Sequence, residues 1–295
     1  MFVKILLTVI IIINLYFAVV LFLDMKNNIK NAMSEKGHAL FYTILGFVSM
    51  FLSTLGISDY AINTLVYRGT KTVEDRLIPP TLNTESTIPC MVMAICYITT
   101  VKCDPANLII LIIAQTVGSI LSPRIVAKLP ADVIRWFMGA GLGVAAIMIF
   151  CNQVGIIPNS GNSYGLTGIK LVIAAVCMFL LGAFNNIGIG AFAPTTALVY
   201  ALGVSPLVAF PIMMGACACS LAVGSAEFVK LKNYARKPTL IFLIPGTIGV
   251  LCAAYIVTGL NLYYLKWIVF VVVCYASLNL IYTQLKKRNP IAATE

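Results

Sequence analysis

Apolar residues fall in long runs separated by short polar connections: 5–23, 40–67, 82–101, 107–122, 133–151, 170–203, 206–228, 239–257 and 262–285. A half-buried strand would alternate apolar and polar residues, and an amphipathic helix would repeat with its turn. Runs near 20 residues instead match a helix that crosses roughly 30 Å of hydrocarbon at about 1.5 Å per residue. The pattern predicts an all-α polytopic membrane protein. The first run leads into Asp24 and Lys26 with no small-residue cleavage site, so it reads as a retained helix rather than a signal peptide.

Two runs are longer than one crossing and are interrupted. In 40–67 the break falls at Gly56-Ile57-Ser58-Asp59. In 170–203 it gathers Gly182, Asn185, Asn186, Gly188, Gly190, Pro194, Thr195 and Thr196. Freed backbone groups are costly in hydrocarbon and survive only where protein or a watery cavity satisfies them. Such a break is either a kink that permits close helix packing or the discontinuous helix at which secondary transporters bind substrate.

The two regions echo one another. Thr64-Leu65-Val66-Tyr67 matches Ala197-Leu198-Val199-Tyr200, and Gly56-Ile57-Ser58 matches Gly188-Ile189-Gly190. Thr116-Val117-Gly118 matches Thr247-Ile248-Gly249, and Arg135-Trp136 matches Lys266-Trp267. All four sit in one register, which predicts an internal duplication. The organisation read from it is an N-terminal helix and connection (1–39), a first repeat (40–151), a linker rich in Asn, Ser, Gly and Pro (152–169), a second repeat (170–285) and a polar tail (286–295). Each repeat is a broken-helix hairpin followed by three transmembrane helices.

Composition sharpens this picture. The 295 residues are 60% hydrophobic and 10% charged, which excludes an ordinary soluble domain. The net charge of +10 lies in short connections, where it orients a membrane protein, and no nucleic-acid partner is expected. If both broken runs return to the side they came from, 16 of the 20 Lys and Arg residues face the cytoplasm. If each crosses once, only 12 do. The positive-inside rule therefore favours hairpins, inverted repeats and a cytoplasmic C-terminus. The nine cysteines lie mostly in apolar runs and read as small buried residues. No metal, cofactor or enzymatic activity is expected. His38 reads as a solvated loop residue.

Charged groups inside apolar runs are functional candidates by default. Asp59, at the first break and where the second half has Ala191, could cap the half-helix or carry a proton. Glu85, in the polar stretch Asn83-Thr84-Glu85-Ser86-Thr87, could be a helix-start acid or a second proton carrier. Glu227 lies within a turn of Lys230 and reads as an interfacial pair. Gly56, Gly188 and Gly190 would let backbone approach a ligand, with helix N-termini facing an anion. Ser58, Asn83, Thr84, Asn185, Asn186, Thr195 and Thr196 would add uncharged hydrogen bonds.

The pattern Gly46…Gly56-Ile57 and Gly182…Gly188-Ile189-Gly190…Pro194, followed by Leu202-Gly203-Val204-Ser205-Pro206, resembles the sulfite exporter TauE/SafE family, also called toluene sulfonate uptake permeases. The resemblance covers about 40–285. It implies a two-repeat carrier of sulfite, sulfonates or related anions in a bacterial plasma membrane. That family's turn reads Gly-Ile-Gly-Gly-Gly; here Ala191 and Phe192 follow Gly190, and the first half has Ser58 and Asp59. The expected function is a secondary transporter of a small anion, binding at the broken helices. An anion channel and a non-transporting scaffold or sensor remain as alternatives. An intramembrane aspartyl protease would need two carboxylates sharing a proton, and no second Asp lies in an apolar run. Small-residue helix faces could support a homodimer or pack the repeats together.

Overall fold

The computed structural model describes residues 2–55, 57–125, 163–185 and 192–259, with isolated positions between 136 and 154 and between 267 and 285. The helices are α1 (Phe2–Ser34), α2 (Ala39–Thr54), α3 (Asp59–Thr70), α4 (Ile78–Thr100), α5 (Pro105–Ile125), α6 (Ile169–Asn185), α7 (Phe192–Ala201), α8 (Ala209–Lys230) and α9 (Arg236–Gly259). Short 3-10 turns, Asp75–Leu77 and Pro206–Val208, lead into α4 and α8. Among the described residues there is no strand, only an isolated bridge between Ser163 and Val204. Helices α1, α8 and α9 are long and apolar enough to cross a membrane. The chain is an all-α membrane protein.

Two compact units divide the chain. The first comprises 1–101 and 214–259, the second 102–213 and 260–295. In the first, α2 packs along α9. A Cβ at Gly249 would overlap the carbonyl oxygen of Phe47, and one at Gly46 would stand 3.1 Å from that of Phe242. In the second, α5 packs along α6, where a Cβ at Gly118 would overlap the carbonyl oxygen of Phe179 and one at Gly182 that of Gln115. Only glycine admits backbones this close.

Helix α1 belongs to the first unit. Phe17, Leu21 and Met25, one turn apart, bury against Ala222, Ala226 and Val229 of α8. Its other side leaves Ile5, Val9, Ile12, Leu15 and Phe22 exposed, as suits a surface solvated by lipid. Polar contacts fix its register. Asn14 Nδ2 donates to the Ala218 carbonyl at 3.0 Å, and Arg236 Nε pairs with Asp24 Oδ2 at 2.7 Å. Glu35 accepts the first backbone N–H groups of α9, from Arg236 at 3.1 Å and Lys237 at 2.9 Å.

Candidate functional site

Helix α2 ends at Thr54 and α3 begins at Asp59, where the sequence pattern places a break. Its backbone is satisfied locally. The Leu52 carbonyl accepts from Leu55 and Ile57 N–H groups, each at 3.0 Å, and Tyr97 Oη donates to the Thr54 carbonyl at 2.8 Å. The chain can therefore restart as α3 without orphaned carbonyls at these positions.

Helix α3 presents Asp59, Asn63 and Tyr67 at successive intervals of four, which puts them on one face. All three are buried. Asp59 receives Ser53 Oγ at 2.9 Å on one oxygen and Ser86 Oγ at 2.8 Å on the other. Glu85, fully buried on α4, receives Asn63 Nδ2 at 2.9 Å and Tyr67 Oη at 2.6 Å. Among the described residues no Lys or Arg pairs with either carboxylate. Each is held by neutral donors alone, so uptake of a proton strands no cation.

The polar stretch at the start of α4 divides its work between two faces. Toward α3, besides Glu85 and Ser86, Asn83 accepts from Tyr60 Oη at 2.8 Å. Toward the other neighbours, Thr81 Oγ1 accepts the Ala235 N–H at 2.9 Å, Thr84 meets Thr239 at 3.0 Å, and Thr87 donates to Ser225 at 2.8 Å. These last three, spaced by three, tie α4 to the α8–α9 region through buried hydroxyls. The Thr84 hydroxyl is already engaged there.

Of the residues singled out from sequence, the structure brings Asp59, Glu85 and Thr84 into one buried polar region of the first unit, with Asn83 half-buried beside them. Ser58 adjoins them in sequence and is half-buried. Glu85 lies well inside α4, at hydrogen-bond distance from α3 side chains, rather than at a helix start. Thr195 is fully buried in α7 of the second unit, and its hydroxyl has no partner among the described residues. Asn185 ends α6 and Thr196 lies in α7. Gly56, Asn186, Gly188 and Gly190 lie outside the described residues. Glu227 is exposed, and the Lys230 ammonium stands 5.4 Å from the centre of the Tyr16 ring. His38 is exposed and precedes α2.

Sequence reasoning missed Ser53, Asn63 and Tyr67. The four-residue spacing from Asp59 to Asn63 to Tyr67 was the available signal. No family model, no curated protein and no solved structure matches this chain.

Proposed function

We propose that the chain is a proton-coupled secondary transporter, an exporter or permease, of a small organic or sulfur-containing anion such as sulfite or a sulfonate. It sits as a multi-pass protein in the bacterial plasma membrane with its C-terminus in the cytoplasm, built on the plan of the TauE/SafE family. The observation that carries this reading is the pair of buried carboxylates, Asp59 and Glu85, held by neutral donors beside an interrupted helix. Ionisable groups within membrane segments are expensive, and they mark ion pathways and proton relays. Interrupted helices are where carriers bind ions.

The spacing of the elements supports a duplicated plan. Helices α2 to α5 start at 39, 59, 78 and 105, and α6 to α9 at 169, 192, 209 and 236, with the 3-10 turns at 75 and 206. Counterparts are thus separated by 130 to 133 residues. The packing contacts keep the same register: Gly118 lies against Phe179 where Gly249 lies against Phe47. Inverted orientation of the repeats follows from the placement of Lys and Arg.

The test is binding, then flux. Purified protein is heated with sulfite, sulfoacetate, other sulfonates and simple carboxylates, with Gly190→Leu as the site control. Stabilisation by one anion in the wild type, lost in the variant, is the expected result. In proteoliposomes that anion should show saturable counterflow and respond to an imposed pH gradient. Flux without counterflow would make the protein a channel. No thermal shift with any of these anions would leave a scaffold or sensor as the better reading.

A further inference from the structure

A cavity of about 640 Å³ lies where the ends of α1 and α3 meet the start of α9. Its wall includes Glu35, Lys36, Arg68, Lys71, Asp75 and Tyr67. Tyr67 is fully buried and links this cavity to the carboxylate that its hydroxyl touches. Lys36, Arg68 and Lys71 place this cavity on the side that the positive-inside rule makes cytoplasmic.

We propose that Glu85 carries the coupling proton and is loaded from this cavity through the hydroxyl of Tyr67. A hydronium ion in the cavity gives a proton to Tyr67 Oη as Tyr67 passes its own proton to Glu85 Oε2, leaving a water, a neutral tyrosine and a neutral carboxylic acid. The 2.6 Å hydrogen bond supplies the inner hop, and the outer one requires cavity water to reach the buried Tyr67 hydroxyl as the site loads.

Asn63 accommodates both states. Its Nδ2 donates to Glu85 Oε1, while its buried Oδ1 has no partner among the described residues. With the proton on Oε2, Oε1 remains an acceptor for that Nδ2, and the Tyr67 hydroxyl oxygen accepts from the acid. A tyrosine hydroxyl can serve either role because it both donates and accepts.

The titratable groups whose charge reaches Glu85 are Asp59 of α3, and the Tyr67 phenol beside it also carries the hydrogen bond. Tyr42 of α2 and Tyr60 of α3 also interact with it electrostatically. Asp24 of α1 and Arg236 of α9 are paired with each other. The charged groups of the cavity rim are Glu35, Lys36, Arg68, Lys71, Glu74 and Asp75, with Arg68 and Arg76 paired to Asp75 and Glu74.

This inference takes its purpose from the transporter reading, but its chemistry can be tested without any substrate. Detergent-solubilised full-length protein is mixed with acid in a stopped-flow instrument, and a pH-indicator dye follows proton uptake. Glu85→Gln should take up one proton fewer than the wild type. Tyr67→Phe should keep the wild-type number and take up that proton several-fold more slowly, and Leu77→Trp, which fills the cavity, should do the same. Equal uptake by Glu85→Gln overturns the proton site, and a wild-type rate in both Tyr67→Phe and Leu77→Trp overturns the route.

The native protein gives a check free of variants. A hydrophobic carbodiimide attacks protonated carboxyls, and Glu85 is the only acidic side chain in the tryptic peptide 77–102. Labelling of that peptide should fall as pH rises; labelling that ignores pH, or none at any pH, overturns the proposal. If Glu85 titrates while no anion binds, the anion-carrier reading fails and this one stands. If an anion binds while Glu85 proves inert, the reverse holds.

Discussion

Helices α5 and α9 start at Pro105 and Arg236, and their first turns are closed by carboxylates from different places. Asp104 caps α5 from the adjoining residue, its Oδ1 accepting the Asn107 N–H at 2.9 Å, the usual N-cap arrangement with proline next in line. At the corresponding place before α9 stands Ala235, which has no acceptor side chain. The missing acceptor comes from Glu35, the residue just after α1, which takes the N–H groups of Arg236 and Lys237. A segment that the resemblance leaves unexplained thus completes the helix whose own cap is absent.

Helices α4 and α8 differ in the same spirit. Counted from their first residues, Glu85 stands opposite Ala216, Thr81 opposite Ile212, Ser86 opposite Cys217 and Thr87 opposite Ala218. Glu85 and Ala216 are both buried. Only α4 carries a buried carboxylate, although Tyr67 has its counterpart in the buried Tyr200. A shared backbone plan therefore does not carry shared chemistry, because a buried polar group survives only where its specific partners do.

The sharpest way to break this comparison is to give α8 the acid that α4 has. Ala216→Glu buries a carboxyl without an Asn63 or Tyr67 beside it and should cost about 3–5 kcal/mol, the scale of an uncompensated buried charge, read by thermal unfolding in detergent. An unchanged melting temperature would show that α8 tolerates the acid as α4 does. Next comes the packing that the halves share. Gly118→Ala should lose about 1–3 kcal/mol by overpacking against Phe179. The control Gly224→Ala, with nothing within 4 Å of its Cβ, should be neutral or gain about 0.5–1 kcal/mol.

Asp24→Asn should cost about 1–3 kcal/mol, since it leaves the Arg236 guanidinium largely buried with a weaker acceptor. Reduced protease resistance around residues 231–237, without a change in overall helicity, would locate the effect at the α1 anchor. The smallest expected effects are those of the two caps. Asp104→Ala and Glu35→Ala should each cost about 0.5–1 kcal/mol, and the second should also loosen α1.

The Asp104 cap also carries a pH signature. The Asn107 backbone N–H, then its side-chain amide, hold the Asp104 carboxyl below its ordinary value. The depressed value makes the cap's contribution complete above about pH 4, the ordinary aspartate value, and lost as pH falls through the lower folded value. Asp104→Ala should remove that part of the acid sensitivity, measured as the difference in melting temperature between pH 6 and pH 3.

The membrane class and the first helix break were legible from sequence because both are local. Hydropathy sums over neighbours, and Gly56, Ser58 and Asp59 interrupt a run that would otherwise be continuous. The start of α4 was misread. Pro79 and Pro80 look like a loop, yet proline is at home in a helix's first turn, where its missing N–H needs no partner. The polar stretch 83–87 looked out of place because its partners, among them Tyr67, Ser225 and Thr239, come from helices distant in sequence. Glu85 looked like a helix-start acid for the same reason.

By itself, the order of residues determined that the chain is helical and membrane-embedded, where its first long run breaks, and that two stretches of it match in register. Those properties depend on side-chain transfer free energy and backbone propensity, which act within a few residues. Only the tertiary structure decided that Thr81, Thr84 and Thr87 bind helices together, that Asn63 and Tyr67 hold Glu85, and that Glu35 caps α9. Hydrogen bonds depend on distances of about 3 Å and on direction, and packing alone brings groups so far apart in the chain to that separation.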